Sequence, residues 1–326
     1  MPPEGAAFHL RFWGTRGSIP AALTADGVKG KVVAALSAAA GRQLDTRERV
    51  QHFVEHELEW AVGHTFGGNS SCVELGMGPG EYVLCDAGSG ARAFGNHVLA
   101  TRGPQAPATF HIFMSHVHWD HIMGFPFFTP AYLPGNTVRI YGCHDLLEEA
   151  FRRQHAPPSF PVDFSALRAR IEFVRLRPAC TYDIAGMRVT AKRQRHSGSS
   201  YGYRFERGGK ALVYSTDSEH KLDDLAEAQA FVEFFRDADL VIFDAMYSLA
   251  DAISVKEDWG HSSNVVGVEL CQRARAKHLV MYHHEPMFDD EAIARVLGET
   301  RRFEEITRRE HRVEISAAYD GMEIVL

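Results

Sequence analysis

Residues 115–121 read SHVHWDH, three histidines and an aspartate within seven positions. They follow ATFHIFM (residues 108–114), an apolar run of strand length, so the polar groups emerge just after a buried strand. Imidazole and carboxylate donors at this spacing can reach a metal ion at about 2.0–2.2 Å. A lone histidine on an apolar strand is ordinarily a satisfied core or surface residue, but four such groups together point to ligation. They are more donors than the three that a tetrahedral catalytic site takes from protein, which implies two ions sharing them about 3.5–4 Å apart, as in dinuclear hydrolases.

The remainder of the chain fits a catalytic protein with a large core. Its 326 residues, 45% hydrophobic and 24% charged, read as one domain over 1–326 without an obvious linker. A formal net charge of −7 gives no general attraction to nucleic acid or to an anionic membrane. The opening MPPEGAAFHL lacks a basic region followed by an apolar run, and no stretch approaches the roughly 18 apolar residues of a membrane span. A cytoplasmic protein is expected. The five cysteines are scattered and never in CxxC spacing, which favours free thiols over a disulfide framework.

Further strand-length runs are FHLRFWG, SCVELGM, EYVLCDAG, TVRIYG, RIEFVRL, MRVTAKRQRH, YGYRFE, ALVYSTD, DLVIFDA, HLVMYHH and the closing VEISAAYDGMEIVL. Helices are predicted at 144–155, 221–236, 262–275 and 289–310. A helical hairpin is predicted over about 24–63. Its first arm, alanine-rich, ends at Gly41, and its second opens with Asp45 as N-cap and Glu48 completing a capping box. Val50, Phe53, Val54, Leu58 and Ala61 then fall on one helical face. Strands with helices spread between them give an α/β layered fold, two sheets packed together with helices outside. Nearly every polar cluster lies at the C-terminal end of an apolar run.

HVHWDH matches the HxHxDH signature of the metallo-β-lactamase superfamily, and RQRHSGS, VYSTDSE and VMYHHEP follow in the order of that family's later ligands. The resemblance covers residues 116–284. It implies an αββα sandwich carrying an inserted helical hairpin, with His116, His118 and His196 on one metal and Asp120, His121 and His283 or His284 on the other. Asp217 would bridge the two. The LVMYHHEP ending resembles the ribonuclease Z branch and aligns His283 with the ligand. Histidine at position 118, where flavin-linked members carry Glu, implies a hydrolytic pair of divalent ions, zinc by preference, with manganese, iron or cobalt also suited to histidine-rich sites.

DAMYS (Asp244 to Ser248) and GHSS (Gly260 to Ser263) resemble the carboxylate and HST-type motifs of ribonuclease Z relatives. The likeness makes His261 the candidate general acid and Asp244 its partner, with Asp120 also in the catalytic set. Asp86 in LCDAGSG is a candidate for orienting a ligand histidine, against a plain Asp-Gly turn. Gly14, Gly17, Gly67 and Gly68 suit close backbone approach or positive φ. Arg16 is either a surface residue or a phosphate contact. Phe125, Phe127, Phe128 and Tyr132 are either core packing or a wall on which a nucleobase stacks. Strand alternation sends Arg193 and Arg195 away from His196.

The substrate expected from this likeness is a small phosphodiester such as a cyclic nucleotide, attacked by a metal-bridging hydroxide while His261 protonates the leaving oxygen. The tRNA-gripping arm of ribonuclease Z lies between the third-histidine motif and the bridging aspartate. Here the short hairpin YGYRFERGGKALVYS fills that interval. Ester, lactone or amide hydrolysis, ribonuclease action and a noncatalytic sensor are the rival readings. The 24–63 hairpin has two open roles, a lid and a homodimer contact; no membrane partner is expected.

Overall fold

The computed structural model describes residues 7–221, 224–247 and 260–326; Ser248, the last residue of DAMYS, lies outside them. Among the described residues the strands form two seven-stranded sheets. The first has the order β14 (Glu323–Val325), β1 (His9–Gly14), β2 (Cys72–Gly76), β3 (Glu81–Cys85), β4 (Thr109–Phe113), β5 (Thr137–Gly142) and β6 (Arg170–Arg175). The second runs β13 (Glu314–Ala317), β12 (His278–Tyr282), β11 (Leu240–Asp244), β10 (Lys210–Ser215), β9 (Ser200–Arg207), β8 (Met187–Gln194) and β7 (Thr181–Ile184). In both, one end is antiparallel and the other parallel: β3 to β6 pair in parallel, as do β10 to β13.

The parallel strands are covered on both faces, which explains their near-continuous apolar sequences. In β11, Leu240 and Ile242 face the layer between the sheets, while Val241 and Phe243 face helices α7 (Leu225–Phe235), α8 (Asn264–Ala274) and α9 (Asp290–Thr307). On the outer side of the first sheet, Phe110 and Ile112 pack against Phe94 of α4 (Gly90–Arg102), Phe125 and Phe128. The layers are therefore helix, sheet, sheet, helix.

Three buried tyrosines of the second sheet send their hydroxyls across the central layer. Tyr203 donates to the Met114 carbonyl, Tyr214 to the Asp86 carboxylate and Tyr282 to the Gly14 carbonyl, each at 2.8 Å. Burial pushes all three phenols well above their usual pKa, so they remain donors. Their bonds fix the sheets against each other at the end where the polar strand termini converge.

Sequence and structure differ in several places. The closing run splits: β13 joins the second sheet and β14 joins the first, with Asp320 and Gly321 in the turn between them. Strand β7, with no fully buried residue, and helix α4, whose Gly90 and Gly95 weaken the helical signal, go unrecognised from sequence. The hairpin lies between β1 and β2, as α1 (Ala25–Ala38), α2 (Arg47–His56) and the short α3 (Trp60–Gly63). The cap of α2 is Thr46, which accepts from the Arg49 amide; Asp45 instead pairs with the Arg49 guanidinium. The expected single helical face breaks at Glu57, leaving Phe53 and Ala61 buried in separate helices and Val50 exposed. Helix α1 buries no residue.

Tyr203→Phe leaves the buried Met114 carbonyl without its cross-sheet donor. The expected cost is about 1–2 kcal/mol, read as a lower urea midpoint at unchanged slope; an unchanged midpoint would show that this bond does not hold the sheets.

Candidate metal centre

The ends of six strands deliver the site. Asp86 follows β3, His116 to His121 follow β4, His196 follows β8 and Asp217 follows β10; Asp244 ends β11 and His283 follows β12. Asp86, Asp217 and His283 all have positive φ, at 60°, 43° and 60°. These non-glycine residues sit in the sparsely populated left-handed region, a strain that concentrates at functional sites and persists only where the surroundings enforce it.

The side chains converge in two groups, His116, His118 and His196, and Asp120, His121, Asp217 and His283. Asp217 stands between them. Its Oδ2 lies 3.6 Å from His116 Nε2 and 3.7 Å from His196 Nε2, while its Oδ1 lies 3.1 Å from His121 Nε2 and 3.2 Å from His283 Nε2. Asp120 Oδ2 is 3.2 Å from His121 Nε2 and 3.3 Å from His283 Nε2. His196 Nε2 is 3.1 Å from His118 Nδ1. Each residue thus turns a ligand atom inward, and Asp217 turns one oxygen towards each group.

Surrounding bonds decide which nitrogen each imidazole offers. The wholly buried Asp86 accepts from the Ser115 amide at 2.8 Å, the Ser115 hydroxyl at 2.7 Å and Tyr214, and lies 2.7 Å from His121 Nδ1. That contact turns His121 Nε2 inward, the orienting role expected of a carboxylate behind a ligand histidine. His196 Nδ1 is held 2.8 Å from the Gly260 carbonyl. The inward Nε2 atoms of His116 and His121 are buried without a hydrogen-bond partner. Orphaned buried nitrogens are costly unless something else satisfies them, and with the carboxylates beside them they fit divalent cations.

Electrostatics agree with this fit. Burial, then neighbouring His121, lowers the His116 pKa well below its ordinary value; burial also lowers His118 and His196. These three are neutral donors at pH 7. For His121 burial acts downward, but Asp217, Asp120 and Asp86 outweigh it and raise the pKa. Burial acts against the charge of Asp120 and Asp217 as well, yet the facing histidines hold both carboxyls below the usual range.

The adjacent histidine pair separates cleanly. His283 turns into the cluster, whereas His284 is buried with Nε2 2.8 Å from the Ala318 carbonyl. A Cβ on Gly17 would fall 2.6 Å from the His283 ring, so this position admits only glycine. Arg16 is neither at the surface nor on a substrate path: only 4% exposed, it donates to the carbonyls of Gly67, Glu285 and Phe288, pinning the segment after His283. The guanidinium gathers three loop carbonyls here, which sequence spacing does not reveal.

His261 Nδ1 lies 2.8 Å from Asp244 Oδ2, and its ring sits 5.1 Å from those of His196 and His283. Ser263, not His261, occupies the N-cap of α8. Burial would lower the His261 pKa, but the charge and hydrogen bond of Asp244 override it and push it up to about 9. The Ser218 amide also donates to Asp244 Oδ2 at 3.0 Å, linking this pair to the residue after Asp217. Phe125 and Phe128 are fully buried packing and Tyr132 is half-buried, while Phe127 is exposed. Arg193 reaches Ser199 and Arg195 reaches Glu227, outside the cluster. Sequence reading overlooked Ser115 and Tyr214 as supports of Asp86; Ser115 stands in the motif itself, but Tyr214 lies on the opposite sheet and carries no local signal.

Residues 81–284 match the family model described as Beta-lactamase superfamily domain. A ribonuclease Z of Geobacillus kaustophilus is 24% identical over 237 residues, covering 59% of this chain and 75% of the relative. The metallo-β-lactamase fold protein YhfI of Bacillus subtilis superposes with a TM-score of 0.65 at 16% identity, over 98% of this chain and all of that one. Unliganded yeast PDE1 gives 0.65 at 12% identity, with the same coverage. The helix, sheet, sheet, helix layering is that of the metallo-β-lactamase fold. Among the described residues no helix is long and apolar enough to cross a membrane.

Two outcomes follow for metal uptake. Asp86→Ala frees His121 to rotate and is expected to weaken metal affinity roughly 10–100-fold in a competition titration; unchanged affinity would remove Asp86 from the site. His121, raised in pKa and therefore protonated, must give up its proton to become a ligand, so affinity rises with pH and is lost as pH falls. Calorimetry in buffers of different ionisation enthalpy should show proton release on zinc addition, and its absence would contradict the charge assignment.

Proposed function

The chain belongs to the β-lactamase superfamily and is a metal-dependent hydrolase, and from that premise we propose that it cleaves a small phosphodiester, such as a cyclic nucleotide. The proposed residents are two divalent ions, zinc by preference. His116, His118 and His196 would hold one, Asp120, His121 and His283 the other, and Asp217 both. Bound there, they supply Lewis-acid stabilisation of charge at phosphorus and activation of the attacking water.

The observation that carries this reading is the His261–Asp244 pair beside the cluster. Expulsion of an alkoxide from phosphorus needs a proton donor, and in the ribonuclease Z branch that the sequence resembles a pair of this kind serves phosphodiester cleavage. Asp244 holds Nδ1 and leaves Nε2 as the nitrogen that delivers a proton to the departing oxygen. Charge on Asp244 keeps that proton in place at neutral pH. Support for a small substrate comes from the chain between His196 and Asp217, which is the plain hairpin β9–β10 turning at Gly208 and Gly209. An overall charge of −7 is likewise unfavourable to a large polyanion.

Purified metal-loaded protein should hydrolyse bis(p-nitrophenyl) phosphate and cyclic nucleotides in preference to a lactone or a cephalosporin, and chelation should abolish the turnover. Turnover of the lactone or cephalosporin alone would overturn the proposal. His261→Ala should lower kcat about 10²–10⁴-fold on alkoxide-leaving substrates, with a smaller loss where the leaving group is p-nitrophenolate, which departs without protonation. Since His261 must carry its proton, activity is present below its pKa and falls as pH rises towards about 9, with bound dications drawing that limb lower. Asp244→Asn should move the limb to lower pH still.

A further inference from the structure

Asp120 and His121 leave the backbone from consecutive positions of one helical turn, Trp119–Ile122. A helix of four residues cannot satisfy its own last carbonyls, so the direction of both side chains depends on what meets those carbonyls from outside. Two loops do so, GGNSS at 67–71 and DAGSG at 86–90. The fully buried Ser70 donates its hydroxyl proton to the Asp120 carbonyl at 2.7 Å, and the Ala87 amide donates to the His121 carbonyl at 2.8 Å.

The two loops also hold each other. The Ser70 amide donates to Ser89 Oγ and the Ser89 amide to Ser70 Oγ, each at 2.9 Å. Ser89 passes its own proton to Asn69 Oδ1 at 3.1 Å. The Ser70 hydroxyl therefore has both a donor facing it and an acceptor beyond it, which fixes where its proton points. Missing side chains permit the approach: a Cβ on Gly88 would stand 2.3 Å from the Asp120 carbonyl oxygen and 2.7 Å from Ser70 Oγ. The far end of the first loop is anchored independently. Asp320, in the turn between β13 and β14, accepts at Oδ2 from the amides of Gly68 and Asn69, at 3.1 and 3.0 Å, and from the Asn69 side chain at 3.2 Å. Among the described residues no hydrogen bond joins Ser70 or Ser89 to His116, His118 or His196.

We propose that Ser70 is a positioning residue of the metal centre, which through the Asp120 carbonyl sets the direction of the Asp120 carboxylate and the His121 imidazole, with Ser89 holding its hydroxyl in place. It acts on the group Asp120, His121, Asp217 and His283 and not on the group His116, His118 and His196. The proposal rests on these residues being metal ligands, but the anchoring of the turn itself does not require metal.

Two measurements on the full chain test it. In the metal-free protein, amide hydrogen exchange read by mass spectrometry should be about tenfold or more faster through residues 119–124 in Ser70→Ala than in the wild type, with the segments carrying His196 and Asp217 unchanged. Zinc affinity, by competition with a chromophoric chelator, is compared in two backgrounds: His118→Ala, which keeps the second group whole, and His283→Ala, which keeps the first. Ser70→Ala should weaken zinc roughly 10–100-fold in the His118→Ala background and less than about threefold in the other. Ser89→Ala, which leaves the bond from Ser70 to Asp120, should show the same pattern to a smaller extent, and it carries the test if circular dichroism shows Ser70→Ala unfolded. Equal acceleration of exchange along the chain, equal loss of zinc in both backgrounds, or no change in either measurement would make Ser70 an ordinary packing residue and overturn the proposal. A wild-type protein that binds no zinc overturns the metal reading and this role with it, whereas zinc bound by the wild type and unaltered in both serine variants overturns the role alone.

Discussion

The carboxylate of Asp217 is the interaction on which the site depends. Its two oxygens face different partners, Oδ2 towards His116 and His196 and Oδ1 towards His121 and His283. Without that negative charge, the buried imidazoles of His116 and His196 would lose the carboxylate that faces them, and His121 and His283 would share only Asp120 on their inner side. The residue reaches this place because β10 lies in the middle of the second sheet and its chain leaves the strand in the left-handed conformation. A backbone held so needs packing to enforce it, and the cross-sheet bonds of Tyr203, Tyr214 and Tyr282 supply that at the same end of the sandwich.

The same logic extends outward. Asp86 is bound to Ser115 and His121 from the first sheet and to Tyr214 from the second, so one buried carboxylate couples ligand orientation to the packing of the two sheets. Arg16 and Gly17 act on the far side, where a guanidinium gathers three carbonyls and a missing side chain makes room for His283. Asp244 links the pair it forms with His261 to the Ser218 amide, next to Asp217. The proposed proton donor and the proposed metal ligands are therefore held by one connected set of bonds.

Much of this was legible in the sequence because the chemistry is concentrated at strand ends. The apolar runs before His116, Asp217, Asp244 and His283 mark buried strands, and polar residues directly after such runs have no place but the rim. The layered α/β architecture and the convergent residues follow from that pattern together with the family likeness. What depended on distant pairing was not legible. Arg16 satisfies carbonyls more than 250 residues away in sequence at Glu285 and Phe288. Residues 313–326 look like one continuous strand region until the turn at Asp320 sends its halves to different sheets. Helix α4 is held by Phe94 and Val98 packing on the first sheet despite its glycines, a case of tertiary burial overriding local propensity.

The central claim, that Asp217 joins two cations in a single centre, is tested most directly by electron paramagnetic resonance of the manganese-loaded protein. An exchange-coupled spectrum from a bridged pair is the expected result at full loading, collapsing to isolated-ion signals in Asp217→Ala. Isolated-ion signals from the wild-type protein at saturating manganese would contradict it.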